Sequence, residues 1–269
     1  MNKNLFLREF KSNAFSLLIW TIVITILITL TMSVYGTFLE NNSKILAMMS
    51  ILPKGALQFK GISDIDDLFS VLGFYSANNV IYMLVLGSIY AIVLSSNILL
   101  KEEYKKTAEY LLTWPLTRSE VFASKTAVVF LNVALLNLVT AAAGFISMTI
   151  VRTEPFSVSA FLILSFYTLL LNLFFSAVGL FMSTLVKRSR PITTVSIGLV
   201  LILYFLYTLS KITEDLSMVG YISPFKYVNL DTVNPEYGLE FRNLLYFISL
   251  TLILTLLSYR IYKRKDIYL

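Results

Sequence analysis

The sequence predicts an all-α polytopic membrane protein with six transmembrane helices, and three observations carry that reading. Of its 269 residues, 57% are hydrophobic and only 14% charged, too apolar for a soluble globular domain and too long for a single-span anchor. Uncharged apolar runs long enough to cross a bilayer recur six times. Lysine and arginine are dense in every second connecting segment and sparse in the others, as in a chain threaded back and forth.

A crossing helix needs about 20 apolar residues, because each adds about 1.5 Å across roughly 30 Å of hydrocarbon. The runs are Ser12–Leu39, Leu68–Leu100, Thr126–Val151, Pro155–Val186, Pro191–Ser210 and the shorter Asn243–Tyr259. They place spans near 15–36, 76–100, 126–150, 157–186, 191–210 and 243–260. Continuous apolar character without alternation excludes a membrane β-barrel. No linker, repeat or composition break divides the chain, so residues 1–269 read as one membrane domain.

Of the 22 basic residues, fifteen fall at the N-terminus (Lys3, Arg8, Lys11), between spans two and three, at Lys187-Arg188-Arg190 and at the tail (Arg260, Lys263, Arg264, Lys265). The other segments hold seven. The positive-inside rule therefore puts both termini in the cytoplasm of a multi-pass protein of the cell membrane. The acidic residues lean to the other side, and an even number of spans agrees with termini on one side. The first uncharged run is nearly twice the length of a signal-peptide core and lacks a small-residue cleavage pattern, so it reads as a first transmembrane helix.

Residues 4–15 precede the first span. Leu5, Phe6, Phe10 and Ala14 share a helical face, with Arg8, Lys11 and Ser12 away from it, which predicts a short amphipathic helix in the inner interface. The segment 37–75 mixes apolar residues around Pro53 and Gly55 with an acidic stretch, and reads as an interfacial helix pair or a lid. Arg152-Thr153-Glu154-Pro155 makes a tight hairpin. Residues 211–242 carry Pro224, Pro235 and the aromatics Tyr221, Phe225, Tyr227 and Tyr237, predicting short helices that dip into the outer leaflet.

The most informative stretch is Lys101–Lys125, KEEYKKTAEYLLTWPLTRSEVFASK, with five basic residues between two apolar runs. Tyr104, Ala108, Leu111 and Leu112 fall at i, i+4, i+7 and i+8, one apolar helical face. Glu102 stands four residues before Lys106, and Lys105 four before Glu109, as charge pairs on the other side. Pro115 stops the helix. Thr117-Arg118-Ser119-Glu120 has the form of a capping box, which starts the third span. Two readings fit this object: an amphipathic connector resting on lipid, and a knob that inserts into a partner and passes motion to two membrane helices.

Residues 84–130 resemble the second-span and coupling-helix segment of ABC-2 type transporter permeases. The matching positions are Glu102, Glu103, Thr107, Leu111, Leu112, Pro115, Arg118 and Lys125, with Lys106 standing where the family often has glycine. Agreement extends to Arg8-Glu9-Phe10-Lys11-Ser12, Ile222-Ser223-Pro224-Phe225 and the basic tail. The resemblance implies a permease half that pairs with a second permease copy, identical or not. It also implies docking onto a cytoplasmic ATP-binding subunit through a coupling helix containing Glu102, Glu103, Tyr104, Thr107, Ala108, Leu111, Leu112 and Pro115. The chain has no G-x-x-x-x-G-K-[ST] phosphate loop, so ATP and Mg would belong to that partner and no cofactor to this chain.

The chemistry available is narrow. There are no cysteines and no histidines, which removes disulfides, thiolate chemistry, Cys/His zinc sites and Ser-His-Asp triads. The basic residues are not interleaved with aromatics in a polar segment, so nucleic acid is not an expected partner. In the fourth span Asn172, Ser176, Gly179 and Ser183 share one face, for helix packing or for lining a path; Asn137, Thr140 and Gly144 form a similar face in the third. No charged residue lies deep in any span, which argues against a proton- or ion-coupled carrier. The leading expectation is thus a permease subunit of an ATP-driven exporter, moving an amphipathic or hydrophobic cargo such as a peptide, toxin or antibiotic-like molecule. A non-transporting anchor or sensor is the alternative. An intramembrane enzyme is less favoured, since no paired carboxylates sit at membrane depth.

Overall fold

Why six apolar runs become six helices follows from the solvent: hydrocarbon offers no partner for a backbone amide, so each run satisfies its own. A computed structural model describes residues 1–49, 66–101, 117–186, 192–212 and 214–264. Among them are α1 (Lys3–Ser33), α2 (Tyr35–Glu40), α3 (Asn42–Met49), α4 (Val71–Ile98), α5 (Arg118–Val151), α6 (Val158–Leu185), α7 (Ile192–Ile212) and α8 (Phe241–Arg264). Six helical stretches are long and apolar enough to cross a membrane, counting α1 with α2 as one. Six such helices is the number expected from the sequence, but α1 begins at Lys3 and α5 at Arg118, well ahead of the expected 15 and 126, and no strand occurs among the described residues.

The N-terminal amphipathic stretch is continuous with the first span. Residues 3–33 contain neither glycine nor proline, and Asn2 caps the start by accepting from the amides of Asn4 and Leu5 at 3.0 and 3.2 Å, so nothing breaks the helix. Leu5 is buried, with Phe6 and Phe10 packed against the core beside it. The expected apolar face is therefore the one that faces protein. Glu9 shares the buried stripe, which the sequence reading did not anticipate.

Between α7 and α8 the expected short helices are two 3-10 segments, Glu214–Ile222 and Pro224–Tyr227. Phe225 is fully buried against Phe175 of α6 and Tyr204 and Tyr207 of α7, and the Ser223 hydroxyl donates to the Leu203 carbonyl at 2.8 Å. The loop is thereby pinned into the bundle. Within residues 37–75, α3 and a 3-10 turn at Asp66–Phe69 are seen; the Pro53 and Gly55 region lies outside the described residues.

In the bundle, α1 lies along α5, α4 along α6, α6 along α8, and α7 against α4. The centre belongs to α4 and α6, which bury Tyr90, Ala91, Ile92, Tyr167, Leu171, Phe175 and Leu180. The peripheral helices show large apolar side chains outward, such as Phe15, Leu18 and Ile22 on α1 and Leu252, Ile253 and Leu256 on α8. Such faces are a defect in water and the proper surface for lipid. At Met83–Gly87, α4 widens into one π turn, where a helix interrupts its regular ladder.

Candidate functional site

The start of α1, the end of α4, the start of α5 and the end of α8 meet at one end of the bundle, the basic end. The stretch that the sequence singles out leaves and re-enters the fold there. Glu102, Glu103, Tyr104, Thr107, Ala108, Leu111, Leu112 and Pro115 lie outside the described residues; so do the basic cluster at 187–190 and Lys265. The two flanks of the stretch, however, are fully described.

The downstream flank starts with the expected capping box. The Glu120 amide donates to Thr117 Oγ1 at 3.2 Å, and Glu120 Oε2 accepts from the Thr117 amide at 3.0 Å. This satisfies donors that a helix start otherwise leaves bare. The helix so begun is 34 residues long, about 50 Å at 1.5 Å each, well beyond the hydrocarbon thickness. Its first turns form a hub. Arg118 donates to the Lys263 carbonyl at 3.3 Å, Ser119 and the Tyr259 hydroxyl share a hydrogen bond of 2.9 Å, and Phe122 packs on Tyr259 and Tyr262 of α8. On the other side, Ser124 exchanges hydrogen bonds with the backbone of Asn2.

The upstream flank is held by charge. Lys101, just past α4, donates from Nζ to Glu9 Oε2 at 3.3 Å and to Ser12 Oγ at 2.7 Å. Arg8 reaches Glu9 Oε1 at 3.1 Å. Lys125, 0% exposed, donates to the Ile98 carbonyl at 2.6 Å. That carbonyl belongs to the last turn of α4, where acceptors lack intrahelical donors and a cation is favoured. Lys125 therefore fastens the end of α4 to the start of α5. The sequence marked Lys125 and Glu9 only through family-like patches and gave no sign that either is buried. The available signal was that Glu9 falls four residues after Leu5, on the apolar face.

Deeper in the bundle, a polar network joins three helices. The Ser88 hydroxyl donates to Asn172 Oδ1 at 3.1 Å, and Asn172 Nδ2 donates to Asn137 Oδ1 at 3.2 Å. Asn137 in turn donates to the Val133 carbonyl of its own helix at 2.8 Å. Asn172 also presses on Gly87 at the π turn, where a methyl group would come within 2.7 Å of its side-chain nitrogen. One turn and two turns further along, Ser176 and Gly179 continue the face, and Ser183 completes it; all are buried, and Gly179 meets Ile92, Ser95 and Ser96 of α4. The Asn137, Thr140 and Gly144 face of α5 is also buried, with Gly144 against the Tyr75 ring. Beside the α5 face lies a cavity of about 10 Å³, room for one water, lined by Tyr75 and Met83 of α4, Asn137 and Thr140 of α5 and Thr168 of α6 among others.

Among the described residues, no three His, Cys, Asp or Glu side chains gather as a metal site. What the arrangement offers is mechanical: fastened flanks on either side of segment 102–116 at one end, and a tightly packed pair of helices leading away from them. A family model described as ABC-2 family transporter protein matches residues 4–267. No curated protein matches the chain.

Proposed function

The chain belongs to the ABC-2 family of transporter proteins, and from that membership we propose that it is the permease half of an ATP-driven exporter whose coupling element is the segment 102–116. Membership makes it a multi-pass membrane component that works with an ATP-binding subunit. The finer reading is that Tyr104, Ala108, Leu111 and Leu112 seat in that subunit, with Glu102, Glu103, Thr107 and Pro115 shaping the same helix. ATP and Mg act in the partner. A second permease copy completes the path, and the basic end faces the cytoplasm, as the excess of lysine and arginine there supports.

The observation that carries the reading is that both flanks of the segment are tied into the bundle, by Lys101 and Lys125 on one side and by the Thr117 cap on the other. A push on a loosely hung loop is lost in the loop. A push on this one moves the ends of α4 and α5, and α6 with α4, because Gly179 leaves those two helices no slack. ATP binding would then shift the population between membrane states, which requires only that the partner prefer one of them. Away from the buried charges Glu9 and Lys125 at the basic end, the buried polar side chains of the spans are Ser, Thr and Asn, which favours an amphipathic or hydrophobic cargo over a small ion.

Leu111→Asp with Leu112→Asp tests this. Two carboxylates placed on the docking face should abolish co-purification with the ATP-binding subunit, at least a tenfold loss, while the variant still reaches the membrane in normal amount. Undiminished complex formation and ATPase coupling would rule the segment out as the contact.

A further inference from the structure

We propose that Glu9 is a positioning residue for energy coupling: its buried carboxylate is the joint through which the helix ends flanking segment 102–116 carry the first membrane helix with them. The assignment rests on the coupling reading above and extends it to α1, an element that reading does not involve.

Glu9 is 1% exposed, although it lies only six residues into α1, at the end of the bundle where water is near. Burying a carboxylate is costly unless cations and hydrogen bonds surround it. Here they come from separate elements. Arg8 is its chain neighbour, at 3.1 Å. Lys101 hangs from the end of α4 and reaches Glu9 at 3.3 Å and Ser12, one turn further along α1, at 2.7 Å. Lys125 acts on the same carboxylate through its charge while its amine holds the Ile98 carbonyl. One acidic group thus ties α1 to the end of α4 and, through Lys125, to the start of α5. Those are the two points at which the coupling segment joins the membrane domain.

An apolar residue at position 9 would complete the stripe begun by Leu5 with no desolvation cost. A stability role alone does not call for a charge there, since buried ion pairs are often no better than well-packed apolar groups. What a carboxylate adds is a directional link between elements that must move together. Because α1 runs alongside α5 from the basic end outward, a displacement at Glu9 reaches the opposite end of the molecule through a single continuous helix.

The test uses the complex of this chain with its ATP-binding subunit, and exploits the absence of native cysteines. Spin labels are attached at Ser33→Cys and Phe241→Cys, exposed positions at the far ends of α1 and α8, and the distance between them is measured with and without ATP. In the otherwise unaltered complex ATP should change that distance. Glu9→Gln should assemble the complex yet reduce the change at least fivefold. Lys101→Gln, at a partly exposed position that keeps the test alive if Glu9→Gln folds poorly, should reduce it about twofold or more. The double variant should be no worse than Glu9→Gln alone, since both remove the same link. A full ATP response in Glu9→Gln, or losses that simply add, would overturn the assignment and leave the coupling reading standing. No ATP response in the unaltered complex would remove both.

Discussion

Gly179→Leu should part α6 from α4 and leave little folded protein. A methyl group built on Gly179 falls on the Ser95 hydroxyl and within 2.6 Å of the Ile92 carbonyl oxygen, with the Ser96 amide at 3.1 Å. The serine could rotate away, but the Ile92 oxygen is backbone inside a helix and can yield only if the helix shifts. In a bilayer no hydrophobic force pulls helices together, so small residues that let backbones approach carry much of the association. Overpacking a tight contact usually costs about 1–3 kcal/mol, and a clash with backbone belongs at or above the upper end. The check is the thermal midpoint and the monodisperse fraction after detergent extraction. Both should fall sharply in Gly179→Leu and less in Gly179→Ala. Val178→Leu, at a half-buried neighbouring position, should stay near the unaltered protein.

Lys125→Met is the second large effect. The side chain is wholly buried, and methionine matches its length, so packing is nearly preserved while the charge is lost. The Ile98 carbonyl then loses its donor and Glu9 loses a neighbouring cation. Removing one partner of a buried charged group typically costs about 3–5 kcal/mol; here Arg8 and Lys101 still face the carboxylate, so about 3 kcal/mol is expected. Chemical or thermal unfolding of the purified chain measures it. Adding Glu9→Gln to Lys125→Met should recover part of the loss, because the stranded charge disappears with it. A double variant that loses the full sum would mean that the two groups do not interact.

Much of this was legible in the sequence, for physical reasons that differ by element. The spans were readable because hydrocarbon imposes both a length and a helix on any run that enters it, and α4 to α8 sit where the uncharged runs place them. The start of α5 was readable because a capping box is local: Thr117 and Glu120 need only each other. The small and polar face of Asn172, Ser176, Gly179 and Ser183 was readable as a face, since spacing alone defines it, but its neighbour was not. Only the fold shows that α4 covers it and that Asn172 reaches both Ser88 and Asn137.

The burial of Glu9 escaped notice because a charge beside Arg8 and Lys11 reads as solvated. Its burial comes from Lys101 and Lys125, 92 and 116 residues away in the chain, which no local pattern encodes. The π turn at Met83–Gly87 is hidden likewise in a run of apolar residues. It stands where Gly87 meets Asn172 of another helix. Even the N-terminal stretch, read as a short amphipathic helix of its own, was cut off from the span that follows it. The cut assumed that a change of environment ends a helix, whereas a helix ends where its backbone is interrupted, and nothing interrupts α1 before Ser33.

The central claim is that segment 102–116 is the contact with the ATP-binding subunit, and cysteine cross-linking addresses it directly. Ala108→Cys introduces a single thiol on the apolar face of that segment, in a chain with none of its own. With a short bismaleimide and purified complex, it should form a covalent adduct with a cysteine placed in the ATP-binding subunit, at the combined mass of the two chains. Glu154→Cys, in the hairpin at the opposite end of the bundle, should form none. Adducts from Glu154→Cys but not from Ala108→Cys, in a complex that hydrolyses ATP, would contradict the account.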